Sequence, residues 1–174
     1  MNMKKDSVTR SVAFGGIIAA LYVVLTFVAN AFGLASGAIQ VRISEALTIL
    51  PVFTAAAVPG LAVGCLLANL LTGCIAWDIV FGTMATLLGA LGTRLLRNKP
   101  YIAWIPPVAA NCVIVPIVLM KAYGVPDVEV FGTTFTGGAL WPMLVLTVGI
   151  GEVISCGLLG LLLYQALKKA KVEF

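Results

Sequence analysis

The sequence contains no histidine, which removes the side chain most often used as a general base and metal ligand near neutral pH. HExxH-type zinc chemistry and Ser-His intramembrane proteolysis are excluded with it. Charge is scarce too: Asp, Glu, Lys and Arg make up 10% of the residues, against about 25% in a soluble domain. No GxxxxGK(S/T) phosphate loop occurs, so the chain is not expected to hydrolyse ATP itself. The four cysteines, Cys65, Cys74, Cys112 and Cys156, lie singly in apolar stretches with no CxxC pair. They read as small buried hydrophobes, and neither a metal site nor a resident cofactor is expected.

What is present is apolar surface. Hydrophobic residues make up 61% of the chain and the mean hydropathy is +1.09. One bilayer crossing takes about 20 mostly apolar residues, so five or six crossings consume most of the 174 residues. The fold class expected is an all-α membrane protein: a six-transmembrane-helix bundle forming a single integral membrane domain over 1–174. Apolar length, with Gly, Pro and charge as punctuation, predicts helices over roughly 10–33, 44–57, 59–73, 77–97, 101–123 and 139–168. The second includes Pro51, and the fifth carries Pro106, Pro107 and Pro116. The stretch from Ser11 to Leu34 is longer than the ~7–15-residue core of a signal peptide, and is read as a retained first helix. A polar segment from Gly124 to Gly138 connects the last two helices.

The net charge is +4, but the basic residues sit at predicted helix ends, which fits membrane orientation rather than nucleic-acid binding. With six helices, one side collects Lys4, Lys5, Arg10, Arg94, Arg97, Lys99, Lys168, Lys169 and Lys171, nine of the eleven Lys and Arg residues. By the positive-inside rule that side, with both termini, is expected to be cytoplasmic. The other side holds Arg42 and Lys121 together with Glu45, Asp78, Asp127 and Glu129. Trp77 and Trp141, at helix starts, read as interfacial anchors, with stacking on a planar ligand as the alternative.

Polar groups within the apolar segments carry the functional signal. A charge at the bilayer centre costs at least ~2.5–3.5 kcal/mol, so it normally lines a cavity or is paired. Glu152 falls midway along the last predicted helix, Asn111 midway along the fifth, and Asn69 in the outer half of the third. With Arg42, Glu45 and Asp78 they are candidates for an outward-facing polar pocket. The alternatives are structural: a helical Arg42–Glu45 ion pair, interhelical hydrogen bonds at Asn69 and Asn111, and an N-cap at Asp78.

Small residues recur at four-residue spacing: Gly15/Ala19 and Gly16/Ala20 in the first helix, Gly60, Gly64 and Ala68 in the third, Gly82, Thr86 and Ala90 in the fourth. The last helix has Gly149, Gly157 and Gly160 among its small positions. Such stripes allow close helix approach in lipid. On the first helix the stripe serves either internal packing or the docking of another subunit.

The block from Ile39 to Phe53, IQVRISEALTILPVF, resembles the queuosine-precursor transporter (QueT) family. So do the blocks from Pro59 to Gly73, from Asp78 to Leu87 and from Val148 to Ile154, in order along nearly the whole chain. The resemblance implies a substrate-binding (S) component of an energy-coupling factor importer in the bacterial plasma membrane. It implies partners as well: a membrane coupling subunit and two cytoplasmic ATPases, which would use the ATP. In that class alanines four apart on the first helix dock the coupling subunit. The matching stretch here is Gly16 to Ala20, with glycine in place of the first alanine, and the register between Gly15/Ala19 and Gly16/Ala20 stays open. The implied cargo is a deazaguanine base. Its edge offers adjacent N–H donors to Glu152 or Glu45, its carbonyl suits Asn69 or Asn111, and its ring suits Trp77 or Trp141. Two other readings stand beside this one. One is a self-sufficient small transporter or channel with Glu152 as ion or proton site. The other is a membrane enzyme using Glu45, Asp78 and Glu152, which lacks any nucleophile–base pair.

Overall fold

In lipid every backbone polar group must be satisfied within the protein, and long apolar runs meet that demand as helices: 79% of the chain is helical. The computed structural model describes residues 3–34, 40–122, 124, 127–130 and 132–172. Ile39, the first residue of the block resembling a known family, lies outside them, as do residues 123, 125, 126 and 131 in and beside the predicted polar connection.

Helix α1 runs Met3–Ala31, so the polar residues ahead of the apolar run are already helical. It ends at Gly33, whose φ is +69°. The Gly33 and Leu34 amides donate back to the Asn30 and Ala29 carbonyls at 3.0 and 2.9 Å, the paired bonds of a Schellman motif. Helix α2, Ala57–Leu71, ends by the same device at Gly73 (φ +75°), with Cys74 N–H donating to the Asn69 carbonyl at 3.0 Å. Helix α3 spans Ala76–Leu95 and α4 spans Ile105–Lys121.

The last helical run is α5, Leu140–Glu152, a π-helical stretch over Val153–Leu159, and α6, Gly160–Lys169. The predicted polar connection contains an antiparallel hairpin, β1 Asp127–Val130 with β2 Thr133–Thr136, paired Asp127 to Thr136 and Val130 to Thr133.

The predicted second helix is the largest departure. Ile43–Val52 is a 3-10 helix of 10 residues, buried without a break from Ser44 to Pro51. It runs through the middle of the molecule, packed on α1, α2, α3, α6 and the π stretch. At about 2.0 Å rise per residue it is about 20 Å long, and α2, at about 1.5 Å per residue, is about 22 Å. Both fall short of the ~30 Å hydrocarbon layer. Four helical segments among the described residues are long and apolar enough to cross a membrane: Val8–Ala31, Ala76–Leu95, Pro100–Lys121 and Gly137–Lys169. Six crossings were expected; four have that length, and the other two apolar segments are shorter helices, the 3-10 helix buried and α2 exposed along one face.

Small residues set the helix contacts. A Cβ on Gly60 would lie 2.6 Å from the Gly15 carbonyl oxygen, and one on Gly64 would lie 3.0 Å from Ala19 Cα. On α3, a Cβ on Gly89 would meet Pro107 Cα at 2.7 Å, so the prolines opening α4 lie directly against that helix. Backbones this close gain dispersion contact that larger side chains would prevent.

Candidate functional site

The 3-10 helix decides what faces inward. With three residues per turn, side chains at i and i+3 eclipse, and this stacks Glu45 over Thr48. Thr48 Oγ1 donates to the Glu45 carbonyl at 2.6 Å, and Ser44 accepts from Thr26 of α1 at 3.0 Å. A fully buried carboxylate on this element is 1% exposed at Glu45 and meets a second one at Glu152, 6% exposed, at the end of α5.

The candidate polar residues separate into two connected groups. The first lines a cavity of about 380 Å³ and contains Arg42, Asn69 and Asp78, with Tyr22 and Thr26 from α1. Asn69 Nδ2 reaches the Asp78 carbonyl at 3.4 Å and Cys65 Sγ at 3.6 Å. Asp78 lies in the first turn of α3, but the N-cap is Ile75, which makes no side-chain cap bond. The Asp78 carboxylate sits at the positive end of the helix dipole. Arg42 precedes the 3-10 helix. Burial alone would lower its pKa, but the attraction of the nearby carboxyl groups of Asp78, Glu152 and Glu45 is stronger and raises it above the ordinary arginine value. The guanidinium stays charged. No ion pair joins it to Glu45 among the described residues; the Glu45 N–H instead donates to the Arg42 carbonyl at 2.9 Å.

The second group lies behind the cavity wall: Glu45, Glu152, Asn111 and Cys156. Tyr22 links the two, because it lines the cavity and its hydroxyl donates to Glu45 Oε1. Cys156 Sγ donates to Glu152 Oε2 at 3.2 Å and lies 3.6 Å from the Glu45 carbonyl. Ligand atoms of Glu45, Glu152 and Cys156 all fall within 4.8 Å of one another, close enough to hold a cation in principle, although the set has no imidazole. Asn111 adjoins Glu152 from α4. Glycine makes room here as well: a side chain on Gly151 would run into the Gln40 backbone carbonyl, beside the cavity.

Trp77 and Trp141 join neither group. They are 58% and 45% exposed, and Trp77 stacks on Phe81 at 5.2 Å, positions that suit interfacial anchoring. Tyr22 and Cys156 were not singled out from sequence. Cys156 follows Glu152 by four residues, and Tyr22 extends the Gly15/Ala19 stripe at the next helical step, so spacing alone carried both signals.

The α1 stripes also separate. Gly15 and Ala19 are buried against α2, Gly15 facing Ala56 and Gly60. Gly16 and Ala20 are exposed, and a Cβ on Gly16 would meet nothing within 4 Å. A shallow apolar groove of about 360 Å³ runs here, bordered by Gly15, Gly16 and Ala19 of α1 and by Ala56, Gly60 and Val63 beside them.

The Asp78 carboxylate, the Asn69 amide and Arg42 line the cavity, and two further buried carboxylates stand behind it, all inside a lipid-facing helical shell. The QueT transporter family profile matches residues 12–169. The chain belongs to the QueT transporter family. It is 33% identical over 85 residues to the Queuosine precursor transporter QueT of Lactococcus lactis subsp. cremoris (strain MG1363). That alignment covers 48% of this chain and 49% of the relative, so the match spans about half of the relative's length. No solved structure matches the chain. Membership of the QueT transporter family, with four helices able to span a bilayer, makes this a multi-pass membrane protein of the transport class.

Proposed function

We propose that the chain is the substrate-binding (S) component of an ATP-driven energy-coupling factor importer in the bacterial plasma membrane, and that its cargo is a queuosine precursor, a deazaguanine base. The polar cavity carries the reading: about 380 Å³ is at the small end of the ~300–1,000 Å³ range of ligand pockets and suits one planar bicyclic molecule. Its wall supplies Arg42, Asn69 and Asp78, and the Glu45–Glu152 cluster stands directly behind Tyr22. The name of the Lactococcus relative supports the same cargo. ATP hydrolysis falls to two partner ATPases, since the chain carries no phosphate loop. The bare Gly16/Ala20 stripe and its groove suit a coupling subunit packing helix against helix, whereas Gly15 and Ala19 are already engaged inside the bundle.

Ligand titration of the purified chain in detergent tests the reading, with queuosine-precursor bases against riboflavin and thiamine. Sub-micromolar binding confined to the deazaguanines is the expected result. Binding of another vitamin keeps the importer class and overturns the cargo. No binding by a folded sample overturns the binding-component reading, and proton-coupled flux through Glu152 becomes the assay to run.

A further inference from the structure

Among the described residues, two deeply buried polar side-chain atoms have no partner within hydrogen-bond geometry: Glu45 Oε2 and Asn111 Nδ2. Both residues are almost fully enclosed, Asn111 being 3% exposed. Such groups are costly to leave unmade in a folded protein, and those that persist call for an explanation. The Thr86 hydroxyl adjoins the Glu45 carboxylate without completing a bond to Oε2. The Tyr22 hydroxyl is committed to Glu45 Oε1, and the Asn111 amide adjoins the Glu152 carboxylate without completing a bond to it. Turning that amide over would set its oxygen against the carboxylate, so the Nδ2-inward orientation is the favoured one.

Glu152 stands beside both orphans: its carboxylate adjoins Asn111, and one of its oxygens lies within 4.8 Å of Glu45. It spends one oxygen on Cys156, and a carboxylate retains further acceptor capacity. The three side chains thus offer a donor, an acceptor and an acceptor: Asn111, Glu152, Glu45. A guanine-type base presents the complementary order along one edge: ring carbonyl, ring N–H, exocyclic amine. Hypoxanthine-type bases lack the third group, and adenine-type bases place a donor and an unprotonated nitrogen where the first two should be.

We propose that this inner cluster reads the guanine-type edge residue by residue: Asn111 Nδ2 donates to the carbonyl, Glu152 accepts from the ring N–H, and Glu45 Oε2 accepts from the exocyclic amine. The base occupies the cavity with this edge turned towards the cluster past Tyr22, which lines the cavity and whose hydroxyl bonds Glu45. The assignment rests on the reading of the chain as a base-binding component. It adds to that reading which atom answers to which, and it makes Asn69 a wall residue, since its amide is already spent on Asp78 and Cys65.

The test crosses ligand changes with protein changes, using the full-length chain in detergent. Deazaguanine, deazahypoxanthine and deazaadenine are titrated into the wild type, Glu45→Gln and Asn111→Leu. Wild type should prefer deazaguanine over deazahypoxanthine by at least tenfold, and over deazaadenine by more. Glu45→Gln should abolish the first preference, because the new amide nitrogen takes the place of Oε2 while Tyr22 keeps the remaining oxygen. Asn111→Leu should weaken deazaguanine and deazahypoxanthine alike by tenfold or more, since both carry the carbonyl. A wild type indifferent to the exocyclic amine overturns the proposal without any variant. So does a Glu45→Gln protein that keeps the preference, or an Asn111→Leu protein that binds normally. A folded wild type that binds none of the three bases overturns the base-binding reading itself, an outcome distinct from the others.

Discussion

The two halves of α1 present the same helical face to the bundle and do opposite things with it. From Gly15 to Ala19 the face is nearly bare, and α2 lies against its backbone through Gly60 and Gly64. From Tyr22 to Thr26, one and two turns on, it carries hydroxyl groups that meet Glu45 and Ser44 and border the cavity. Residues 15, 19, 22 and 26 follow one stripe of a 3.6-residue helix, so a change of side chain alone converts a packing seam into a binding wall. The apolar half holds the helices in register, and the polar half uses that register to position its hydroxyls.

Breaking the packing half should have the largest effect. Gly60→Leu drives a side chain into the Gly15 backbone, already 2.6 Å from where a Cβ would begin. Overpacking of this kind costs about 1–3 kcal/mol or more, visible as a lowered thermal midpoint in detergent and as loss of ligand binding with it. Tyr22→Phe attacks the polar half. It removes the donor to Glu45 Oε1 and leaves a second buried carboxylate oxygen unpaired, at about 1–3 kcal/mol. Its thermal midpoint should fall less than that of Gly60→Leu, and saturating deazaguanine should restore part of the loss. Gly16→Leu sharpens the contrast between adjacent stripes. Open space surrounds Gly16, so stability should change by no more than ~0.5 kcal/mol, while copurification with a coupling subunit should fall at least tenfold. Trp77→Phe, on an exposed position outside both halves, should leave ligand affinity within twofold in the same titration.

The membrane class and the helix positions were legible because apolar length is a strong signal: α3 was expected over roughly 77–97 and runs Ala76–Leu95. The inner cluster was legible for the same reason inverted, since Glu152 and Asn111 stand out in otherwise apolar runs. What the pattern did not carry was the form of residues 43–52. Apolar length suggested an α-helix there, and the segment is instead a 3-10 helix with Pro51 inside it, packed against five other elements. The hairpin of β1 and β2 lies in what the sequence shows only as a polar segment, because a pair of four-residue strands leaves little periodicity to detect. Tyr22 escaped notice because an aromatic residue in an apolar run reads as packing; only the fold brings Glu45, 23 positions away, to its hydroxyl.

The π-helical stretch Val153–Leu159 acts as a phase shifter in the final helical run. A π turn holds one more residue than an α turn, so everything beyond it is rotated by about 100° relative to an unbroken helix. That rotation lets Glu152 and Cys156 point at the 3-10 helix while Gly160 and Tyr164, further along, still face the same element and its neighbour Phe53. A single-residue deletion between 153 and 159 would remove the residue that the π turn absorbs and leave Tyr164 facing inward on an unbroken α-helix, whereas an inserted residue would turn Tyr164 out towards lipid. The residue count of this stretch, and not only its side chains, thus decides which of the later residues face the site.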